Sequence, residues 1–538
     1  MLVPKKITVS THLISRVRKG IFIVVGFLAA FVALITVLAF IFAEIQEPGF
    51  VNRDLVMQNE LIIPPLLEPQ VVGEEKVFVL SAEPGKTIFL EGKPTNTAGY
   101  NGTYLGPTLR AHKGDNVRIV LTNNLSQPTT THWHGMHLPA IMDGGPHQEI
   151  ARGEGWEPHW TIENEAATLW YHPHALDHTG EQVYSGLAGL FIIDDDNSDS
   201  LSLPKEYAVD DLPLVVQDRE FHEDGQFVYA PERKDELGHT GMLGNTILVN
   251  GTYAPFVDVP AKQIRLRILN ASNARRYNFG FEDERTFYQI AADGGLLPSP
   301  VARTRMILAP GERAEVIVDL TGETMPLILI SDAVHEENEV LRFVKALMKL
   351  ERDENQVFKI IELRPQPTAD VTQALPQLLN SIERIPTTSA VRTRRFILDT
   401  RNRSINGEVM DHQYVNEVVH SGDVEIWEII NLSGTYHPFH IHGVQFQILD
   451  RGGKPPAEYE KGWKDTVLVS NAEIVHVIMR FPEFSNSNTP YMYHCHILEH
   501  EDMGMMGQFI VTDEKISGGK VYLGAADSGI ENYHNHAP

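Results

Sequence analysis

The sequence predicts an all-β protein of three consecutive β-sandwich domains, preceded by one N-terminal transmembrane helix. Three observations predict this fold class. A short pattern, in which a turn precedes an alternating strand, occurs three times at nearly equal spacing. Strand patterns are frequent along the chain, whereas helix patterns are few. Finally, one long apolar run lies near the amino terminus.

The apolar run covers residues 21–42 and contains no charged residue. Its length is enough to span a bilayer as a helix. Five basic residues and no acidic residue precede it, so the positive-inside rule keeps residues 1–20 in the cytoplasm. We therefore expect residues 21–43 to anchor the chain in the cell membrane, with the remainder outside. A cleaved signal, which would leave a secreted or periplasmic protein, is the alternative, although its apolar region is usually about 7–15 residues long.

The repeated pattern joins an Asn-Gly pair, which favours a tight turn, to a strand of period-two alternation. The three strands end at Asn123, Asn270 and Asn431, and the Asn-Gly pairs lie 149 and 156 residues apart. That period is too long for a solenoid repeat. Three copies predict three domains of one fold, and the scarcity of helices predicts β-sandwiches. The predicted segments are a linker at 44–67, domains at 68–200, 205–355 and 358–513, and a polar tail at 514–538.

Composition excludes several classes of protein. Hydrophobic residues make up 42% of the chain and charged residues 22%, so it can bury a core and is not disordered. Acidic residues outnumber basic ones by 71 to 45, which repels nucleic acid. With one cysteine the chain forms no intramolecular disulfide, and its 24 histidines are unusually many.

Eight of these histidines form four His-x-His pairs, two in the first predicted domain and two in the third. On a strand, residues i and i+2 point to the same face, so each pair aims two imidazoles at one point. Imidazole suits copper, zinc, iron and nickel, so the eight rings predict a metal cluster at a domain interface. The pairs are His132 with His134, His172 with His174, His440 with His442, and His494 with His496.

Cys495 lies between His494 and His496, so its sulfur points to the opposite face and would bind a different metal. With His437, His500 and Met505 it makes a set of two imidazoles, a thiolate and a thioether. That set is typical of a blue-copper electron-transfer site. Zinc fits less well, because a long thioether contact adds nothing for a closed-shell tetrahedral ion.

Over about residues 70–513 these motifs resemble those of the multicopper oxidases, and they look most like bacterial three-domain laccases and copper-efflux (cuprous) oxidases. The resemblance is carried by His132-Trp-His-Gly, Trp170-Tyr-His-Pro-His, His437-Pro-Phe-His-Ile-His-Gly and His494-Cys-His-Ile-Leu-Glu-His. It implies three cupredoxin-like Greek-key β-sandwich domains and four copper ions. The implied ligands are His437, Cys495, His500 and axial Met505 for type 1 copper, His132 and His440 for type 2 copper, and His134, His172, His174, His442, His494 and His496 for the type 3 pair.

The resemblance also implies an activity, in which four one-electron oxidations are coupled to the reduction of dioxygen to two waters. Electrons would pass from type 1 copper through Cys495 to the three-copper cluster. Asp143 and Glu501 match the acidic residues that supply protons beside the cluster in the family. Without the resemblance, Asp before Gly is typical of a turn. Asp465 and Asp502 are weaker candidates for carboxylates that orient metal-bound histidines.

The substrate class stays open at this point. Copper-efflux oxidases carry a Met-rich insertion and extra Asp and Met ligands before the first type 1 histidine, whereas residues 432–436 contain neither. We therefore expect a laccase-type oxidase of phenols or aromatic amines. The alternative is a metallo-oxidase for Cu(I), Fe(II) or Mn(II), which the net charge of −31 on residues 44–538 favours weakly. A blue-copper carrier without oxygen chemistry is disfavoured by the eight imidazoles. The oligomeric state is not predicted.

Overall fold

Three pairs of β-sheets follow one another along the chain, and the prediction of a mainly β protein is confirmed. The structure is a computed structural model that describes residues 32–33, 51–231, 241–333, 356–369, 373–514 and 521–523. The strands lie in one compact unit, Val51–Val334 with Val357–Pro538. The other unit, Met1–Phe50 with His335–Gln356, is described only at residues 32, 33 and 356.

The predicted transmembrane segment, residues 21–43, lies outside the described residues except for Val32 and Ala33, which are helical. Across the ranges that the structure describes, no helix combines the length and the apolar character needed to span a bilayer. The membrane anchor therefore stays a prediction.

The first pair of sheets takes its strands from residues 70–194. Strand β1 (Asn59–Glu60) precedes it, and its own strands are β2 (Gln70–Val72), β3 (Glu75–Leu90), β4 (Lys93–Tyr100), β5 (Leu109–His112), β6 (Asn116–Asn123), β7 (His132–His134), β8 (Gly155–Trp156), β9 (His159–Thr161), β10 (Ala167–His172) and β11 (Gly189–Asp194). One sheet has the order β2-β3-β6-β8, with β4 on β3 and β9 on β6, and the other has the order β5-β11-β10-β7. Strand β3 runs parallel to β6, and β11 runs parallel to β5.

The second pair takes most of its strands from residues 211–366. They are β12 (Asp211–Arg219), β13 (Thr246–Val249), β14 (Thr252–Tyr253), β15 (Pro255–Pro260), β16 (Gln263–Asn270), β17 (Tyr277–Phe281), β18 (Phe287–Ala292), β19 (Gly295–Arg303), β20 (Met306–Leu308), β21 (Arg313–Asp319), β22 (Leu327–Asp332) and β23 (Phe358–Gln366). The sheet orders are β14-β13-β12-β16-β21-β18-β19 and β1-β15-β23-β22-β17-β20.

The third pair takes its strands from residues 390–522. They are β24 (Ala390–Asp399), β25 (Ser404–Ile405), β26 (Tyr414–Val415), β27 (Glu417–His420), β28 (Val424–Asn431), β29 (His437–Ile441), β30 (Phe446–Arg451), β31 (Thr466–Val469), β32 (Ile474–Arg480), β33 (Asn486–Cys495), β34 (Met506–Thr512) and β35 (Val521–Tyr522). The sheet orders are β25-β24-β28-β32-β30 and β27-β34-β33-β29-β31, and β26 pairs with β35 alone.

Helices between the strands are short. They are α1 (Thr179–Ser185), α2 (Asp196–Ser200) and α3 (Leu498–Asp502), with single 3-10 turns at Ala140–Met142, Thr387–Ser389 and Glu458–Glu460. Both α1 and α3 lie close to predicted site residues, since α1 begins five residues after His174 and α3 contains His500 and Glu501.

The predicted linker and the predicted polar tail each contribute a strand. In the predicted linker, β1 pairs in parallel with the start of β15, and Met57 and Leu61 beside it are buried. These apolar side chains hold β1 at the edge of the second pair of sheets. In the predicted polar tail, β35 pairs with β26.

The three repeated strands are confirmed as β6, β16 and β28, and each ends at a fully buried asparagine. The side-chain amides of these residues donate to backbone carbonyls across the turn, from Asn123 to Ile150, from Asn270 to Leu308 and from Asn431 to Val469. In each case the side-chain oxygen accepts from the backbone N–H two residues later. The sequence repeat therefore reflects one local structure that is built three times.

The Asn-Gly turns are also confirmed. Asn101, Asn250 and Asn406 adopt φ values of 54°, 50° and 56°, a left-handed conformation that asparagine tolerates. Their side-chain oxygens accept from the backbone N–H of a neighbouring strand residue, and these donors are Ser81, Val215 and Ile397. Each turn is therefore tied to its sheet.

The third pair of sheets encloses an aromatic core beside the predicted ligands. The Trp427 ring packs against Phe396, with ring centroids 4.3 Å apart, and against Tyr493 at 5.5 Å. Cys495 and Met505 are fully buried in the same core. Because burial of one large apolar side chain contributes about 1.5–3 kcal/mol, this core holds the ligand-bearing strands firmly.

Candidate metal centres

Two neighbouring strands of the first pair of sheets position one half of the histidines. Strand β7 pairs antiparallel with β10 in a register that sets His132 opposite His172. His134 follows at i+2 on β7, and His174 lies two residues beyond the end of β10. All four rings are buried.

Two antiparallel strands of the third pair position the other half. Strand β29 pairs with β33 so that His440 lies opposite His494. His442 and His496 come at i+2, just after the ends of their strands. Because side chains alternate along a strand, His437 and Cys495 point to the opposite face from their neighbours. The same two strands therefore build one group of ligands on each face.

The eight histidines meet between the first and third pairs of sheets. The rings of His132 and His442 stack at 3.7 Å, as do those of His134 and His440. The Nε2 atom of His494 lies 3.2 Å from Nε2 of both His174 and His442. Three groups made only of these histidines have donor atoms within 4.8 Å of one another, and they are His132 with His440 and His442, His134 with His172 and His496, and His174 with His442 and His494.

The orientation of the rings leaves nitrogen atoms pointing into this cluster. The Nδ1–H groups of His132 and His440 donate to the backbone carbonyls of Asp143 (2.9 Å) and Asp465 (2.8 Å). Within the part of the chain that the structure describes, Nε2 of His132 and of His440 has no hydrogen-bond partner, and neither nitrogen of His496 has one. A buried polar atom without a partner is costly, so these nitrogens fit a site that holds metal ions.

The burial of the rings also favours the form that binds metal. Burial lowers the pKa of His172 to about 3 and that of His174 to about 4, with neighbouring imidazoles adding to the effect for His172. Burial likewise lowers the pKa of His132, His134 and His440 well below the ordinary value. Neutral imidazole, which is the metal ligand, therefore prevails at neutral pH.

Both predicted acidic residues lie against the cluster. The Oδ2 atom of Asp143 accepts from Nδ1 of His442 at 2.7 Å, and burial raises the pKa of this carboxyl. Glu501 lies between two rings, with Oε2 3.0 Å from His494 Nδ1 and Oε1 3.3 Å from His174 Nδ1. Burial raises the pKa of Glu501, but the imidazoles of His174 and His494 outweigh it, so the pKa lies below its ordinary value.

The second group of predicted ligands lies on the other face of β29 and β33. The Cys495 sulfur is 3.2 Å from Nδ1 of His437 and 3.6 Å from Nδ1 of His500. Met505 is buried beside them, and its carbonyl accepts from the Cys495 N–H at 3.1 Å. Burial raises the pKa of the Cys495 thiol, so a bound cation is what would hold it as thiolate.

Two hydroxyl groups that sequence reasoning missed contact the outer nitrogen of His437. Its Nε2 lies 2.8 Å from Thr400 Oγ1 and 2.9 Å from Ser433 Oγ. Ser433 stands two residues after the repeat asparagine Asn431, whose side chain orders this loop, so the repeat was the available signal. Thr400 carries no sequence signal, because it reaches the site only through the packing of β24.

The two weaker carboxylate candidates have different surroundings. Asp465 lies 3.0 Å from His134 Nε2, and its carboxylate forms a further group within 4.8 Å with nitrogens of His134 and His440. Asp502 accepts from the backbone N–H groups of Thr179 (2.9 Å) and Gly180 (2.8 Å), so it joins α3 to the start of α1.

Comparisons with known proteins agree with this geometry. Two family models, both described as multicopper oxidase, match residues 81–198 and 378–515. The chain is 37% identical over 460 residues to the multicopper oxidase mco of Staphylococcus aureus, covering 85% of this chain and 93% of the relative. It is 36% identical over 464 residues to the cell division protein FtsP of Photorhabdus laumondii, covering 86% and 94%.

Among solved structures, the laccase from Pediococcus acidilactici superposes with a TM-score of 0.75 at 35% identity, covering 85% of this chain and 94% of that one. Its fold therefore matches the arrangement of three sheet pairs described above. Family models, relatives and fold agree with one another, and the chain belongs to the multicopper oxidases, which are copper-dependent oxidoreductases.

Proposed function

We propose that this protein is a laccase-type multicopper oxidase, which oxidises phenols or aromatic amines one electron at a time and reduces dioxygen to water. One observation carries the proposal: the complete set of ten histidines, one cysteine and one methionine is buried and divided into two groups by β29 and β33. Relatives named for oxidase activity and for cell division are about equally similar, so the names do not decide between catalysis and a role in division. The intact ligand set favours catalysis.

The proposed ligands follow the two groups. One copper ion would be held by His437, Cys495, His500 and Met505. Three further ions are assigned to the eight-histidine cluster, one of them on His132 and His440 and two on His134, His172, His174, His442, His494 and His496. Copper bound in such sites cycles between two oxidation states and so transfers single electrons.

Residues of the chain itself provide the route for electrons between the two groups and the supply of protons. Cys495 is joined through one peptide unit on each side to His494 and His496, which gives a short covalent route between the two groups. Asp143 and Glu501 are proposed to deliver protons at the cluster. Their positions support this role, because each carboxylate contacts a ring nitrogen that faces away from the cluster.

The surroundings of His437 support organic substrates over metal ions. The groups at its Nε2 are the neutral hydroxyls of Thr400 and Ser433. A hydroxyl can both donate to and accept from a phenol or an amine. The Leu432 side chain next to them is 72% exposed and offers an apolar contact. Metal-ion substrates would favour carboxylate or thioether ligands at this place. Oxidation of Cu(I), Fe(II) or Mn(II) is the alternative.

We also propose that residues 21–43 anchor the chain in the cell membrane and that catalysis takes place outside the cytoplasm. The uncharged run and the preceding basic residues support this topology. The three domains are proposed at the predicted boundaries 68–200, 205–355 and 358–513. The cleaved form, which would be secreted or periplasmic, is the alternative.

The proposal is tested on the full chain loaded with copper. We expect about four copper ions per chain and strong visible absorption from the bond between Cys495 sulfur and copper. Cys495→Ser is expected to keep the fold and about three copper ions while losing the colour and the consumption of dioxygen. A colourless wild-type protein with one copper ion would contradict the assignment.

The substrate class is tested on the same material. The kcat/KM value for a simple phenol is compared with that for Cu(I) at equal dioxygen concentration. We expect the phenol to be oxidised at least as efficiently. A hundredfold preference for Cu(I) would favour the metallo-oxidase alternative and leave the copper assignment intact.

A further inference from the structure

We propose that the second pair of sheets, to which none of the predicted ligands belongs, positions the histidine cluster through Arg313, which holds Asp465 against His134. Arg313 and Asp465 are thus positioning residues rather than ligands. The inference rests on the proposed function, because that function requires the histidine cluster that Arg313 is proposed to position. It concerns a residue 179 positions away from His134 in the sequence.

The three side chains form a continuous buried contact. The Oδ1 atom of Asp465 lies 3.0 Å from His134 Nε2. From the other side, Arg313 donates to both carboxylate oxygens of Asp465, through Nη1 at 2.7 Å and through Nη2 at 2.6 Å. All three side chains have no exposed surface. A two-pronged guanidinium–carboxylate contact fixes the plane of the carboxylate as well as its position.

This contact decides which nitrogen of His134 faces the cluster. Because Nε2 faces Asp465 and the Thr466 hydroxyl, which is 3.1 Å away, the remaining Nδ1 turns inward and lies 3.4 Å from Nε2 of His172. His132, His172 and His440 are oriented the other way, with Nδ1 bonded to a backbone carbonyl. A carboxylate on the outer nitrogen also makes a metal-bound imidazole a stronger donor. His134 therefore depends on a side chain where these three rings use the backbone.

Arg313 is itself held rigidly by the backbone around it. Its own N–H donates to Asp293 Oδ1 at 2.8 Å, and Nη2 donates to the Asp293 carbonyl at 2.9 Å. Its Nε donates to the carbonyl of Thr168 at 3.0 Å. Thr168 belongs to β10, the strand that carries His172. Arg313 thus joins the strand of one ligand to the carboxylate that orients another.

Each charged group in this region has an oppositely charged partner, which allows such a contact to stay buried. Lys464 lies 2.8 Å from Asp293 and 3.1 Å from Glu312, while Arg313 pairs with Asp465. Buried charges persist when they are paired and hydrogen-bonded. The backbone also approaches closely here, since a side chain added at Gly311 would lie 2.9 Å from the His496 ring. The second pair of sheets therefore touches the cluster at two points.

The test replaces Arg313 by lysine, a cation that lacks the planar guanidinium group. Arg313→Lys keeps the positive charge but contacts one carboxylate oxygen at a time. Copper-loaded protein is dialysed against a competing copper chelator, and copper per chain and visible absorption are followed together. We expect the variant to lose cluster copper at chelator concentrations about 10–100-fold lower than the wild type, with the colour of the Cys495 site unchanged.

A matched control separates this effect from a general loss of stability. Arg267 is also buried in the second pair of sheets and also donates to both oxygens of one carboxylate, that of Asp211, at 2.7 and 2.9 Å. Its Nη1 donates to Thr168 Oγ1 at 2.9 Å, so the control shares the contact with β10 and differs in that its carboxylate partner is Asp211 rather than Asp465. Arg267→Lys is expected to retain cluster copper as the wild type does. Asp465→Asn is a second variant at the site, because an amide keeps the size of the carboxylate while removing its charge.

The outcomes are distinct. Selective loss of cluster copper in Arg313→Lys, with a similar loss in Asp465→Asn, supports the inference. It is overturned if Arg313→Lys holds cluster copper as tightly as the wild type, whatever Asp465→Asn does, or if the two variants lose both kinds of copper in parallel with Arg267→Lys and with unfolding. If the wild-type chain itself binds no cluster copper, the proposed function fails instead, and this result is visible before any variant is compared.

Discussion

Replacement of Gly311 by alanine tests whether the second pair of sheets shapes the histidine cluster by backbone contact. Gly311 has a φ of 82°, and a Cβ atom placed there would lie 2.9 Å from Cδ2 and 3.0 Å from Cγ of the His496 ring. Carbon atoms in favourable contact lie about 3.5–4.0 Å apart. The ring or the loop must therefore move by about 0.5 Å or more.

Gly311→Ala is expected to have two effects, one on stability and one on the rate of dioxygen consumption. A left-handed backbone conformation costs an alanine about 1–2 kcal/mol, which lowers the free energy of unfolding. Displacement of His496 adds a second effect, because a misplacement of about 1 Å at a reactive site can reduce turnover about 100-fold. For the smaller shift at Gly311 we expect the rate of dioxygen consumption to fall at least about tenfold.

Gly322 provides the matched control. It lies on the same pair of sheets with a φ of 77°, and no atom lies within 4 Å of the added Cβ position. Gly322→Ala therefore has the same conformational cost of a left-handed backbone, but its added Cβ makes no steric contact with another residue. Denaturant unfolding, copper per chain and dioxygen consumption are measured for both variants. The reasoning is refuted if Gly311→Ala and Gly322→Ala lose equal stability and both keep the wild-type copper content and rate.

Two further predictions concern the proton supply and the membrane. Asp143→Asn keeps an oxygen that accepts from His442 but carries no transferable proton. Dioxygen consumption should therefore fall about 100-fold or more, while the visible absorption is retained. A variant with the full rate would remove Asp143 from the proposed proton supply. The full chain should stay in the membrane fraction after an alkaline wash, whereas a chain that starts at residue 44 should be soluble. Release of the uncut chain by the wash would contradict the anchor, whereas recovery of a shortened chain in the soluble fraction would favour cleavage of the segment 21–43.

Most of the fold could be predicted because its signals are local. Period-two alternation and the Asn-Gly turns act over a few residues, so β6, β16 and β28 could be located from the sequence. The edge strand β1 could not, because its two residues, Asn59 and Glu60, have no strand pattern of their own. It forms only because the edge of β15 is available to pair with it.

The sequence by itself determined which side chains share a face. The i, i+2 spacing sends His494 and His496 to one side of β33 and Cys495 to the other, since alternation is a property of any extended strand. It also determined that the candidate ligands would form two groups, because the odd and even positions of β29 and β33 carry different candidate side chains.

Only the tertiary structure decided how each ring is turned and what holds it. The Nδ1 atom of His134 faces the cluster because its Nε2 contacts the Asp465 carboxylate. Arg313, from a different pair of sheets, holds that carboxylate in place. Likewise Thr400 reaches His437 through the packing of β24. Such contacts join residues far apart in the chain, and the physical reason they escape sequence reasoning is that no local periodicity relates the partners.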